Sequence, residues 1–283
     1  MTPQERGAPL AALAERSENW FRRPLRGTLR FVSKTAAIAE LEARKLRHDP
    51  TELVLRGVQP LLWLLVFGQV FTRMRAIPTG NVRYLDFLAP GILAQSVLFI
   101  AIFYGIAVIW ERDLGIVQKF LVSPTPRTAL VLGKALAAGV RGLTQGVIIY
   151  LLALILGVKL AFGPLHLMGL VALVLLAAAI FSTFSLIIAC IIKTRERFMG
   201  IAQVLTMPLF FASSAIYPIS VMPSWLKVIA HGNPLTYEVD GLRSLMLANG
   251  VSHFGIATDF GVMLGAMIVL VLIGGRLYAT VAA

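Results

Sequence analysis

Apolar residues in this chain fall into six long runs separated by shorter polar or charged stretches. The runs are roughly Leu53–Phe71, Tyr84–Trp110, a stretch within Leu130–Val158, Leu167–Ile192, Met199–Tyr217 and Phe260–Leu277. About 20 apolar residues in helical form cross the ~30 Å hydrocarbon core of a bilayer. In lipid the backbone must satisfy its own polar groups, which helices do within one segment. The pattern therefore predicts an all-α integral membrane protein with six transmembrane helices.

Composition supports this and narrows the function classes. Of 283 residues, 58% are hydrophobic and only 14% charged, whereas a soluble domain carries about a quarter charged residues. A soluble enzyme and a disordered chain are both excluded on that ground. The net charge of +12 would suggest nucleic acid in a soluble protein. Its distribution gives a different account. Ten cations lie between Arg6 and Arg47, ahead of the first run. Arg112, Lys119 and Arg127, then Lys193, Arg195 and Arg197, and finally Arg276 follow on the same side of a six-span layout. Fewer occupy the opposite loops, so the asymmetry predicts cytoplasmic termini and requires no nucleic-acid partner. The first fifty residues lack the short apolar core of a signal peptide.

The segments between the runs carry their own patterns. Residues 1–28 read as a flexible cytoplasmic tail, and 29–283 as one transmembrane domain. Residues 29–48 contain no Pro or Gly and place Phe31, Ile38 and Leu41 on one helical face. They read as a cytoplasmic amphipathic helix at the membrane interface, with an ordinary solvated helix as the alternative. In the loop over 111–127, Glu111, Arg112 and Asp113 precede an apolar set, Leu114, Val117, Phe120 and Leu121. That short helix lies on the membrane or docks into another protein, and the pattern fits both. The stretch 218–258 is too apolar for a wet loop, yet Pro218, Pro223, Gly232 and Pro234 cut it too short to span. Two short helices forming an outer re-entrant segment account for it, with Asp240 and Arg243 spaced to pair at i, i+3.

Candidate chemistry is sparse. There is no phosphate-cradling G-x-x-x-x-G-K-[ST] loop and no H-E-x-x-H. Cys190 stands alone, His48, His166, His231 and His253 are scattered, and Ser213–Ser214 in the fifth run have no partner base. No catalytic residue and no metal ligand is expected. Arg141 is the one deep charge, open to two readings: snorkelling or pairing with a loop acid such as Glu111, or a role linked to a substrate path or gate. Phe67, Phe71, Phe99, Phe103, Phe210 and Tyr217 are aromatics that could line such a path with Arg141.

Four motifs in order resemble the membrane subunits of type 2 ATP-binding-cassette exporters, the ABC-2 family, and especially the drug-resistance branch that includes daunorubicin exporter permeases. They are RHDP followed by QPLLWLLVFGQVF (Arg47 to Phe71), YLDFLAPGILAQSVLF (Tyr84 to Phe99), WERDLGIVQKFLVSPTPR with Gly133-Lys134, and PSWLKVIAHGNPLTYEVDGLR (Pro223 to Arg243). The resemblance covers about residues 29 to 277. It implies a permease in a bacterial or archaeal plasma membrane. A second copy or paralogue and two copies of a separate ATPase subunit would be its partners, with lipid around it. ATP and Mg would be held by the ATPase and no cofactor by this chain. It further implies an ATPase-coupling role for Glu111, Arg112, Asp113, Gly115 and Lys119. Asn233, Pro234, Tyr237, Asp240 and Arg243 would form an outer gate. The expected cargo is an amphipathic drug-like or lipid-like molecule. The alternatives are a polysaccharide or glycolipid permease of the same family and, outside it, a membrane-embedded enzyme or a channel.

Overall fold

The computed structural model describes residues 57–74, 77, 82–115, 127–192 and 194–277, with backbone alone for 127–130. The proposed tail 1–28, the amphipathic helix 29–48, Lys119 and most of the loop 111–127 lie outside the described residues. The described ones are helical apart from turns and one isolated bridge, Leu160 to Leu247.

Helix α1 covers 57–74 and includes a π-helical stretch, Trp63–Phe67. Helix α2 (Tyr84–Tyr104) passes through a turn at Gly105 into α3 (Ile106–Asp113). Then come α4 (Arg127–Ile155), α5 (Pro164–Ile191) and α6 (Arg195–Phe211). A 3-10 turn at Ile219–Val221 leads to the short helices α7 (Ser224–Gly232) and α8 (Pro234–Met246), and α9 (Ile256–Leu277) follows. Two short helices thus lie within residues 218–258.

Among the described residues four helical stretches are long and apolar enough to cross a membrane: Tyr84–Asp113, Val131–Ile155, Pro164–Ile191 and Ile256–Leu277. They coincide with the second, third, fourth and sixth apolar runs. The fifth run is displaced. Its helix starts at Arg195, inside the charged RERF sequence, and ends at Phe211 rather than Tyr217. Ser213 and Ser214 consequently lie in the turn after the helix, and the Ser213 hydroxyl donates to the Phe210 carbonyl at 2.7 Å.

Helix α5 is the hub, packed against α2, α4, α8 and α9. A helix covered by neighbours on several sides has no polar stripe, and α5 carries no charged residue along its length. Small residues let its neighbours approach. Ala177 and Ala178 are fully buried, and a Cβ added at Gly142 would lie 3.1 Å from that of Ala178. At Gly105 the space is filled by Ser185 and Phe198 from α5 and α6, and the Ser185 hydroxyl donates to the Ile102 carbonyl. Close small-residue contacts of this kind replace the hydrophobic driving force that lipid removes.

Candidate functional site

Among the described residues, side-chain ion pairs cluster where α3 stops and occur again around α8. At the end where α3 stops, three helix termini are joined by charge. Glu111 pairs with Lys134 of α4, and Asp113 takes a 2.7 Å hydrogen bond from Arg195 of α6. The Arg195 guanidinium also lies over the Trp110 ring, 3.6 Å from its centroid, and Arg112 sits 3.5 Å from Asp113. Gly115 closes α3: its N–H donates to the Arg112 carbonyl at 2.9 Å, with φ of 70°, a left-handed cap that suits glycine. Glu111–Asp113 are the last turn of α3. The charged start read as belonging to a separate loop helix is therefore part of the preceding helix. Arg195 was not among the sequence candidates for this corner, and Lys134 entered only as part of the quoted motif; the fold brings α4 and α6 to it.

The opposite end is bracketed by α8, and five residues of N-P-L-T-Y-E-V-D-G-L-R have identifiable geometric tasks. Asn233 caps α8, its side-chain oxygen accepting the Leu235 N–H at 3.0 Å. Its amide nitrogen donates to the Leu209 carbonyl at 2.7 Å and that of Ala212 at 3.3 Å, satisfying groups left over at the end of α6. Pro234 occupies the first turn, where its missing N–H costs nothing. The Tyr237 hydroxyl donates to the His231 carbonyl at 2.8 Å and its ring packs on Phe254. Asp240 accepts the Phe254 N–H at 2.9 Å. Arg243 lies over the Phe87 ring at 4.0 Å and donates to the Ser214 carbonyl at 2.9 Å, with Asp240 3.9 Å away. All five residues read as a gate thus lie on or cap α8, and Asn233, Tyr237, Asp240 and Arg243 tie it to the end of α6, to α7, to Phe254 and to the Ser214 turn.

Two further acids, Asp259 and Glu238, were not among the sequence candidates. The Ser252 hydroxyl is 2.8 Å from Asp240 Oδ2 and 2.9 Å from Asp259 Oδ2, both carboxyls being buried. Glu238 is fully buried, and among the described residues neither of its oxygens has a hydrogen-bond partner. Burial pushes its carboxyl well above the usual carboxylate range. A raised folded value favours the neutral acid, so this group's contribution to stability is lost as pH rises from its unfolded value of about 4.3 through the folded one. Replacing it by the neutral amide (Glu238→Gln) is expected to raise the thermal midpoint of the detergent-solubilised protein by roughly 2–4 °C per kcal/mol relieved. The gain should be larger at pH 8 than at pH 5, and a denaturation series across that range checks it.

Between the ends, the predicted aromatics separate into groups. Trp63, Phe67, Phe71, Tyr84 and Phe87 form a ladder with successive centroids 4.4 to 6.3 Å apart, and Phe210 joins it edge-on to Trp63. Phe99 and Phe103 stack on each other along α2. Tyr217 stands apart, its hydroxyl donating to the Phe211 carbonyl. Arg141 lies 5.1 Å from the Tyr104 ring centroid, while Glu111, one of its envisaged partners, is engaged by Lys134.

A sequence model described as ABC-2 type transporter matches residues 34–247. The chain belongs to that family. Relatives agree with the assignment. The permease is 30% identical over 217 residues to a protein named as a transport permease, ycf38, of Cyanophora paradoxa, covering 76% of this chain and 74% of that one. It is 25% identical to the daunorubicin resistance ABC transporter permease protein DrrB1 of Streptomyces coeruleorubidus, over 79% of this chain and 78% of the relative. The inner membrane transport permease YadH of Escherichia coli K12 is 25% identical over 84% of this chain and 92% of its own length. The permease is accordingly a multi-pass membrane component of an ABC-2 type transport system.

Proposed function

We propose that this permease exports an amphipathic drug-like or lipid-like molecule using ATP hydrolysed by a separate subunit, with six spans and both termini in the cytoplasm. The observation that carries the reading is the charged corner at Glu111–Asp113. It joins α3, α4 and α6 through ion pairs at one end of the bundle, in the motif that resembles the family's coupling region. A push on that corner moves three membrane helices together, because Lys134 and Arg195 are tied to it directly. Interfaces that are bistable in this way turn small displacements into helix shifts.

The opposite bracket around α8 would form the outer exit. Its exposed apolar residues Trp225, Val228 and Ile229 fit the outer leaflet better than water, which accords with a re-entrant segment. Arg141 would stand on the path rather than at the coupling corner. Two permease copies, identical or paralogous, would pair around that path. Two ATPase copies would hold ATP and Mg, and this chain would supply no catalytic group. A plasma-membrane location follows from the same reading.

The test is affinity purification from mild-detergent extracts. A separate ATP-binding-cassette subunit should co-elute with the permease and hydrolyse ATP. Elution of the permease without any ATPase, from membranes that still export, would refute the reading.

A further inference from the structure

Glu238 sits on the helix that ties the outer bracket together, yet among the described residues neither oxygen of its own fully buried carboxyl has a hydrogen-bond partner. Helical spacing puts it on one face of α8 with Gly241 and Leu245. That face is pressed onto α5. A Cβ at Gly241 would lie 2.8 Å from the Leu173 side chain, and the Leu245 side chain would come as near to a Cβ at Gly169. An apolar residue would fill such a seat more cheaply than an acid.

The titratable groups around α8 are engaged elsewhere or stand apart. On α8 itself Asp240 accepts the Phe254 N–H, Arg243 donates to the Ser214 carbonyl and Tyr237 to that of His231. Helix α2 brings Tyr84, bonded to the Ile216 carbonyl, and Asp86, paired with Arg83. Helix α9 brings Asp259, bonded to Ser252, and Arg276 in its last turn. Helix α5 offers only His166 in its first turn and Cys190 at its far end. Helix α7 contributes Lys227 and His231, whose ring nitrogen meets the Lys227 carbonyl. None of them acts on the Glu238 carboxyl, which burial alone pushes up from the usual range. A carboxyl with no exposed surface and no partner is stable in its neutral form, and a group so enclosed admits only the smallest of ligands, a proton.

We propose that Glu238 is a proton latch on the outer exit: the bracket closes with the acid neutral, and opening it hands that proton to water. The proposal rests on reading the α8 bracket as the exit, and it gives that exit a regulator, the acidity at its own face. Water around the opened carboxyl restores its ordinary value of about 4.3. Between that value and the closed one, the closed state holds a proton that the open state lacks. Each rise of one pH unit there favours opening by about tenfold. Below the window both states carry the proton and above it neither does, so the dependence flattens at each end.

The test uses the purified permease with its co-eluting ATPase in phosphatidylcholine nanodiscs, without ATP. Hydrogen–deuterium exchange of the Pro234–Met246 segment is followed from about pH 5 to 7, above the ordinary carboxyl value, and corrected for the intrinsic pH dependence of amide exchange. Corrected exchange of the native segment should rise by up to about tenfold per pH unit, reporting the opening equilibrium. Glu238→Gln and Glu238→Met keep the side chain's length without an ionisable group, and both should be flat. Glu238→Asp should restore the slope.

No slope in the native protein, a slope that survives in both neutral variants, or one shared by every helix would overturn the latch. The exchange measurement needs neither cargo nor hydrolysis. If the slope is found while ATP-driven translocation keeps one pH profile in the native protein and in Glu238→Gln, the proton site stands and the reading of the bracket as the exit falls.

Discussion

Removing both carboxylates from the charged corner, with Glu111→Ala and Asp113→Ala together, is expected to reduce ATP-driven transport roughly tenfold or more. The permease should still insert and still bind its ATPase. The reason lies in what the two acids hold. Glu111 fixes Lys134 at the start of α4, and Asp113 fixes Arg195 at the start of α6. Without them α3 can be displaced while α4 and α6 stay behind. Arg195 is the sharper single probe, since it contacts both Asp113 and the Trp110 ring. Arg195→Ala loses the ion pair and the cation–π contact together. A cycle built on Asp113→Arg and Arg195→Asp isolates the pair: the exchanged double variant should recover transport that each single change loses. Unchanged transport and assembly in Glu111→Ala with Asp113→Ala would remove the coupling role from this corner.

The second large effect concerns Gly91, beside Pro90 within α2. A Cβ there would lie 2.3 Å from the Ala215 carbonyl oxygen and 2.8 Å from that residue's carbonyl carbon and Cα. Backbone presses on backbone, so no side-chain rotation relieves the clash. Ala215 follows Ser214, whose carbonyl is held by Arg243, and Ala212, held by Asn233. Gly91→Leu must push this whole turn away from α2 and strain the bracket around α8. Overpacking of a close contact costs about 1–3 kcal/mol, or roughly 2–12 °C in thermal midpoint for a chain of this size. Gly91→Ala should already be measurably destabilised. Gly133→Ala and Gly200→Ala, where an added Cβ meets nothing within 4 Å, should be neutral or stabilising by up to about 1 kcal/mol. Equal stability of the Gly91 and Gly133 variants would show that the turn does not rest on α2.

The long apolar helices were legible because hydropathy alone sets them. Tyr84–Asp113 and Pro164–Ile191 lie within a few residues of the runs that announced them. The fifth run misled because its helix begins in RERF, which an apolar scan discards, and stops after Pro208, before the apolar residues run out. The N-P-L-T-Y motif was legible as a unit, although its tasks were not: a cap, a first-turn proline and a set of ties to neighbouring elements need partners distant in the chain. The same holds for Arg195 and Asp259. Nothing local marks them, and their importance comes from helices that meet only in the folded bundle.

The central claim is that this permease moves cargo with energy it does not itself release. Its most direct test is reconstitution of the permease with its co-eluting ATPase in proteoliposomes, followed by translocation of a fluorescent amphiphile between leaflets. The account predicts translocation that requires Mg and ATP, stops when the ATPase is inactivated and is absent with either component alone. Translocation at full rate by the permease alone, without ATP, would contradict it.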